Sequence, residues 1–238
     1  MENVTTVVYF GSLGSRIEGR YYCQKNSTSP TVLILPSDPR NGKTMDDEII
    51  SILEKVFQDC GFSTLTINYQ GSGKSEGSFL RALDGIVTAS VALDWVQTHN
   101  SESSHYWIVG YDFGAYVAAD IATRRPEIEN FVFISPLISK YDFEFMSPAL
   151  SDGLIVYGEN DKNINNDYLL KLLNMMNDGS KVSVNMICIN GANHEFSNKT
   201  EEFKNEILQY VNFKIATRIS KPIRKKRRKR QKKENSGI

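Results

Sequence analysis

Residues 108–118 read IVGYDFGAYVA. An apolar strand runs into Gly110, Asp112 follows two residues on, and Gly114 opens an Ala-rich stretch of helical character. A small residue on each side of one polar residue is what a very tight strand-to-helix turn demands, because side chains at the flanking positions would collide. The helix would then point its unpaired N–H groups and positive dipole end at whatever sits in the turn. The stretch predicts a strand over 105–110, a helix over 113–124 stopped near Pro126, and a carboxylate at the corner between them.

The same alternation extends outward in both directions. VTTVVYF (4–10) and RIEGRYYCQ (16–24) flank GSLG and predict an N-terminal β-hairpin. TVLIL (31–35) is continuously apolar, as a strand buried on both faces should be. Ile49, Ile52, Leu53 and Val56 recur at helical spacing in 45–60, with Thr44 placed to cap that helix and Gly61 to end it. Further strands are expected over 62–69, 130–135, 153–158 and 181–189, and further helices over 80–98, 168–176 and 200–217. No repeat of 20–50 residues is visible. Strands alternating with helices call for an α/β fold whose mostly parallel sheet carries helices on both faces. In such sheets functional groups collect beyond the carboxyl ends of the strands.

Three strand ends then carry chemistry. Asp112 stands at the corner, Asp161 follows Gly158 in GLIVYGENDKN, and His194 lies just past the last strand in NMICINGANHEF. Their chain order, corner residue then acid then histidine, is that of a hydrolase triad built on a nucleophile elbow. His99, near a helix C-terminus, and His105, at the amino end of a strand, do not compete for the role. The loop YQGSGKSEGSF (69–79) imitates a phosphate loop, but Asn68 stands where that motif needs its first glycine. Turn chemistry is the better reading of it.

With these motifs in place, the chain resembles the small, capless branch of the α/β-hydrolases, the dienelactone-hydrolase-like and short esterase-like proteins. That branch runs His-Pro-His-Pro, two residues, then Gly-Gly-Thr-Met-Asp in its first loop; here the loop is LPSDPRNGKTMDDE. YQGSGKSEG, GYDFGAYVA, GEND and GANH match the later loops in order, and the likeness spans roughly residues 1–215. It implies an Asp112–His194–Asp161 triad on a small organic substrate, with the Phe113 and Asp38 backbone N–H groups as an oxyanion hole and no cofactor or metal. Two departures matter: Asp112 replaces the nucleophilic serine, and Pro36-Ser37-Asp38 replaces His-Pro-His. Both are expected to put a carboxylate where negative charge would develop in ester hydrolysis, an opposition of about 4 kcal/mol at ~4 Å and a dielectric near 20. An aspartate can instead attack a saturated carbon, as in the dehalogenase and epoxide-hydrolase relatives of this fold. Those relatives carry a helical cap, where this chain has only PLISKYDFEFMSPALSD (136–152). The alternative is a catalytically silent hydrolase fold acting by binding, in which Asp112 is merely a helix cap.

Charge divides the chain. The formal net charge is zero, yet residues 221–238 hold ten Lys/Arg and one acid, leaving about −9 on the rest. One domain is expected over 1–219, with a disordered basic tail over 220–238. Arg224, Lys225, Lys226, Arg227, Arg228, Lys229 and Arg230 form a polyanion-binding run, suited to weak contact with nucleic acid or an anionic surface. Cys23, Cys60 and Cys188 make neither a disulfide framework nor a metal spacing. With no run of 18 apolar residues and no basic leader at the N-terminus, a cytoplasmic protein is expected, or a nuclear one if the source is eukaryotic.

Overall fold

The computed structural model describes residues 4–219. The hairpin forms as expected from β1 (Val4–Ser12) and β2 (Ser15–Cys23), paired antiparallel with Ser12 opposite Ser15. Leu13 and Gly14 make the two-residue turn, both at positive φ, the geometry that matches the twist of paired strands. The remaining strands are β3 (Thr31–Leu35), β4 (Ser63–Ile67), β5 (Tyr106–Tyr111), β6 (Ile128–Ile134), β7 (Asp152–Gly158) and β8 (Val184–Ile189). They form one eight-stranded sheet in the order β1-β2-β4-β3-β5-β6-β7-β8, parallel from β4 to β8 and antiparallel at the hairpin.

Five helices cover it: α1 (Glu48–Asp59), α2 (Ala82–His99), α3 (Phe113–Arg124), α4 (Asn166–Asn177) and α5 (Thr200–Ile219). Successive side chains of a strand point to opposite faces, so the central strands β3 and β5 feed two cores. Val32, Ile34, Trp107 and Val109 pack with Ile50, Leu53, Phe203 and Ile207 of α1 and α5. Leu33, Leu35 and Ile108 pack with Leu93, Val117 and Leu169 of α2, α3 and α4. β3 and β5 stay paired to their carboxyl ends, with Leu35 opposite Gly110, but α1 follows β3 onto one face and α3 follows β5 onto the other, so the loops beyond them diverge. That divergence opens the crevice where α/β sheets bind ligands.

Helix α1 corrects one expectation. It starts at Glu48 with Asp47 as the capping position, and Thr44 does not cap it. The Thr44 hydroxyl instead accepts the Asp46 N–H at 3.1 Å, closing its own turn ahead of the helix. At the other end Gly61 stops the helix as expected, at φ 85 with its N–H donating to the Gln58 carbonyl. The glycine loop after β4 is no phosphate cradle. The Lys74 N–H donates to Glu18 Oε2 at 2.7 Å, and Asn68 Nδ2 donates to the same oxygen at 2.9 Å. A carboxylate of β2 thus sits where a phosphate would need to be.

Candidate active site

The corner after β5 is as tight as its glycines imply. A Cβ on Gly110 would lie 2.1 Å from the Gly114 carbonyl oxygen, and one on Gly114 would lie 2.3 Å from that of Leu35. Between them Asp112 takes φ 56 and ψ −116, a conformation that costs a non-glycine residue about 1–3 kcal/mol. The surrounding backbone holds it there: the Asp112 N–H donates to Ile134 O at 2.9 Å, and Asp112 O accepts the Ala115 N–H at 3.2 Å. The side chain accepts the N–H of Phe113, the first residue of α3, but makes no capping hydrogen bond further into the helix.

Two other strand ends converge on it. His194 Nε2 lies 3.2 Å from Asp112 Oδ1, and His194 Nδ1 lies 2.7 Å from Asp161 Oδ2. Asp161 is held in turn by the Asn163 N–H, which donates to its Oδ1 at 2.9 Å. Its loop is pinned to the histidine loop by the Asn160 N–H, which donates to Ala192 O at 2.8 Å. A Cβ on Gly158 would lie 2.4 Å from that carbonyl oxygen, which accounts for the glycine in GEND. Ser135, at φ 43, donates its hydroxyl to the His194 carbonyl at 2.9 Å and fixes the loop from below. Three segments far apart in the sequence thus form one chain of contacts, Asp112–His194–Asp161.

Electrostatics set the protonation of this chain. Burial pushes the Asp112 carboxyl up, but hydrogen bonds from His194, Ser37 and the Phe113 N–H outweigh it, so the group lies below its ordinary value. Burial works against a charged His194 as well, yet the bonds to Asp112 and Asp161 raise it to about 9. At neutral pH the site is an imidazolium between two carboxylates. Asp112 is buried, whereas the His194 side chain keeps 24% of its surface exposed, enough to exchange a proton with solvent.

The loop after β3 lies directly over the corner, and it holds what the sequence did not disclose. The Ser37 hydroxyl donates to Asp112 Oδ2, so both oxygens of that carboxylate are engaged. The expectation about Asp38 needs correction. Its carboxylate does not stand as uncompensated negative charge beside the corner, because Arg40 bonds both its oxygens, with Nη2–Oδ2 at 2.6 Å. Tyr141 lies in the electrostatic reach of Asp38, Arg40 and Asp112 and stacks on Tyr116 at 4.5 Å. Arg40 stands two residues from Asp38 in the sequence, the one available signal of their pairing.

The other histidines sit where the sequence places them. His99 closes α2, its Nδ1 2.8 Å from Trp95 O, and His105 is buried ahead of β5. Among the described residues no group of three or more His, Cys, Asp or Glu could hold a metal ion, and no helix is long and apolar enough to cross a membrane. The basic run Arg224–Arg230 lies outside the described residues.

A parallel sheet led by an antiparallel hairpin, with an acid–histidine pair converging on a strained strand-to-helix corner, defines an α/β-hydrolase fold. Residues 75–219 match the dienelactone hydrolase family, and the chain belongs to it. An uncharacterized protein of Rickettsia prowazekii is 37% identical over 208 residues, covering 86% of this chain and 87% of that protein. The crystal structure of an Agrobacterium tumefaciens protein of unknown function, described as an α/β-hydrolase, superposes with a TM-score of 0.85 at 34% identity, over 91% of this chain and 100% of that one. A serine hydrolase without a lid from Xanthomonas campestris shares the fold at a TM-score of 0.77 and 16% identity, over 90% of this chain and 96% of its own.

Proposed function

We propose that this protein is a hydrolase of small organic substrates in which Asp112, rather than a serine, is the nucleophile. The observation that carries the reading is a buried carboxylate kept ionised at the elbow, with His194 at 3.2 Å backed by Asp161 at 2.7 Å. An ionised Asp112 oxygen attacks a saturated carbon; the new C–O bond forms as the bond to the leaving group breaks, and the leaving group departs with the electron pair. Asp112 is then a neutral alkyl ester. His194 has lost one of its two carboxylate partners, its pKa falls, and its proton passes to solvent. The neutral imidazole takes a proton from water, which adds to the ester carbonyl carbon. The oxyanion formed on Asp112 faces the Phe113 N–H and the backbone N–H of Asp38. Collapse expels the alkoxide, which takes the proton back from His194 and leaves Asp112 as a carboxylic acid; that acid passes its proton to the neutral His194, and the carboxylate–imidazolium pair is restored.

Compensation of Asp38 by Arg40 supports this scheme, since it removes one of the two charges that would oppose the oxyanion. A second reading is favoured by a specific feature: an imidazolium locked between two carboxylates is a stable resting arrangement that a silent, ligand-binding hydrolase fold could retain.

One experiment separates the two. In His194→Ala the second step should stop, so a haloalkane or epoxide substrate leaves an alkyl adduct on Asp112, visible as a mass increase of the intact protein. Asp112→Asn should form no adduct. If a broad panel of haloalkanes, epoxides and esters yields neither an adduct nor any Asp112-dependent turnover, the catalytic reading is lost and the binding module takes its place.

A further inference from the structure

The two oxygens of the Asp112 carboxylate stand in unlike surroundings. Oδ1 faces His194 Nε2 across 3.2 Å, and the His194 side chain is 24% exposed. Hydrogen bonds between charged partners span about 2.7–2.9 Å, so this one is loose. The bond from His194 to Asp161, at 2.7 Å, is not. Oδ2 accepts the hydroxyl of Ser37, a residue only 2% exposed. A serine hydroxyl carries one hydrogen, and here it is spent on Oδ2.

The loop that carries Ser37 is pressed onto the corner. A Cβ on Gly114 would come within 2.3 Å of the Leu35 carbonyl oxygen and 2.5 Å of that of Pro36. Asp38, the next residue, is tied to Arg40. The Asp112 backbone is held from the other side by Ile134 O. Donor and acceptor are thus set by their backbones, and Ser37 is too buried for solvent to take its place.

In the aspartyl reaction one oxygen of Asp112 becomes the bridging oxygen of the alkyl ester, and the other becomes its carbonyl oxygen. We infer that Ser37 is a catalytic residue that decides between them: its hydroxyl reserves Oδ2 as the carbonyl oxygen, leaves Oδ1 to attack, and donates to the oxyanion that later forms on Oδ2. This inference rests on the aspartyl reading and adds to it a residue and a direction. Oδ1 bonds to the substrate carbon as the leaving group departs with its electron pair. Attack through Oδ2 would instead set an alkyl group against the Ser37 hydroxyl and leave a buried donor unpaired. Water deprotonated by the neutral His194 then adds to the carboxyl carbon, and the carbonyl electron pair moves onto Oδ2. There Ser37 joins the Phe113 and Asp38 N–H groups, keeping its own hydrogen throughout. Collapse breaks the bond from the carboxyl carbon to Oδ1. The product alcohol carries Oδ1 away, and Asp112 retains Oδ2 and gains the oxygen of the water. The two steps therefore respond differently to Ser37. Its donation holds charge back from the nucleophile in the first and stabilises charge in the second.

The test uses the full-length chain and a panel of haloalkanes and epoxides, with butyl bromide and styrene oxide as its first members. The probe taken forward is one that alkylates Asp112 in His194→Ala. Ser37→Ala, with His194 intact, should form the adduct unslowed but hydrolyse it about a hundredfold more slowly than the native chain, so that alkyl-enzyme accumulates in the intact mass. The accumulation also reports a folded, reactive elbow. A second measurement needs no variant. Over many turnovers in heavy-oxygen water, Asp112 of the native chain should gain one heavy oxygen and never a second, because Oδ2 does not leave. If no member of the panel alkylates Asp112 in His194→Ala, the aspartyl reading is lost and the role of Ser37 goes with it. If His194→Ala is alkylated but Ser37→Ala accumulates no adduct, or if native Asp112 gains two heavy oxygens, the role of Ser37 alone is rejected and the aspartyl reading stands.

Discussion

Asp112 stays ionised in a buried setting because three donors converge on it, and His194 stays protonated because two carboxylates do. The consequence is a pH-dependent stability with a definite sign. The folded His194 has its pKa raised from 6.5 to about 9, so the folded protein holds a proton that the unfolded chain releases between those values. The stabilisation is therefore complete below pH 6.5 and is lost as pH rises through about 9. Its size is roughly 3 kcal/mol, at about 1.4 kcal/mol per pKa unit. The lowered Asp112 carboxyl reports the same contact and is not added to it. Urea denaturation at pH 6.5 and at pH 9.5 should show this loss in the native chain; His194→Gln should show little of it. A native chain equally stable at both values would mean that the imidazolium is not held as described. The triad residues were legible because each follows a strand and carries a glycine signature. Ser37 and Arg40 were not, because their roles depend on how the loop after β3 lies over the corner, which no local spacing records.

At the scale of elements, the corner between β5 and α3 is determined by backbone contacts more than by the carboxylate it carries. Side chains at Gly110 or Gly114 would meet carbonyl groups, which cannot swing aside as a flexible side chain can. Gly110→Ala and Gly114→Ala should each destabilise by about 3 kcal/mol or more, or prevent folding. Gly85→Ala, on α2, is the informative contrast. Its added methyl would meet the Phe113 ring at 3.1 Å, a contact relieved by a shift of a few tenths of an ångström, and a helix interior favours alanine over glycine by about 1 kcal/mol. Denaturation midpoints should place it near the native chain; a Gly114→Ala protein as stable as Gly85→Ala would show that the corner is looser than its geometry. Several elements could be read from local pattern, since β3 and β5 are near-continuous apolar runs and α1 carries one apolar stripe, whereas β4 is buried although Ser and Thr alternate with its apolar residues. The start of α1 was misplaced because the Thr44 hydroxyl is spent on its own turn, accepting the Asp46 N–H, and the helix begins only after Asp47.

For the molecule as a whole, the hydrolase architecture and the convergence of three strand ends were written in the order of motifs along the chain. The separation of charge was plain from composition: near −9 over 1–220 against +9 over 221–238. We propose that this basic run, outside the described residues, makes weak and salt-sensitive contact with polyanions. Each phosphate neutralised lowers the logarithm of the association constant by about 0.7–0.9 per decade of salt. If only four of the ten Lys/Arg engage RNA, affinity should fall by about fiftyfold between 50 and 200 mM salt. Deletion of 221–238 should abolish binding to RNA and to anionic vesicles without moving the denaturation midpoint. Its body carries the opposite charge, so the truncated chain has no electrostatic route to the same surfaces, and RNA or vesicle binding that survives the deletion would transfer the contact to the folded domain.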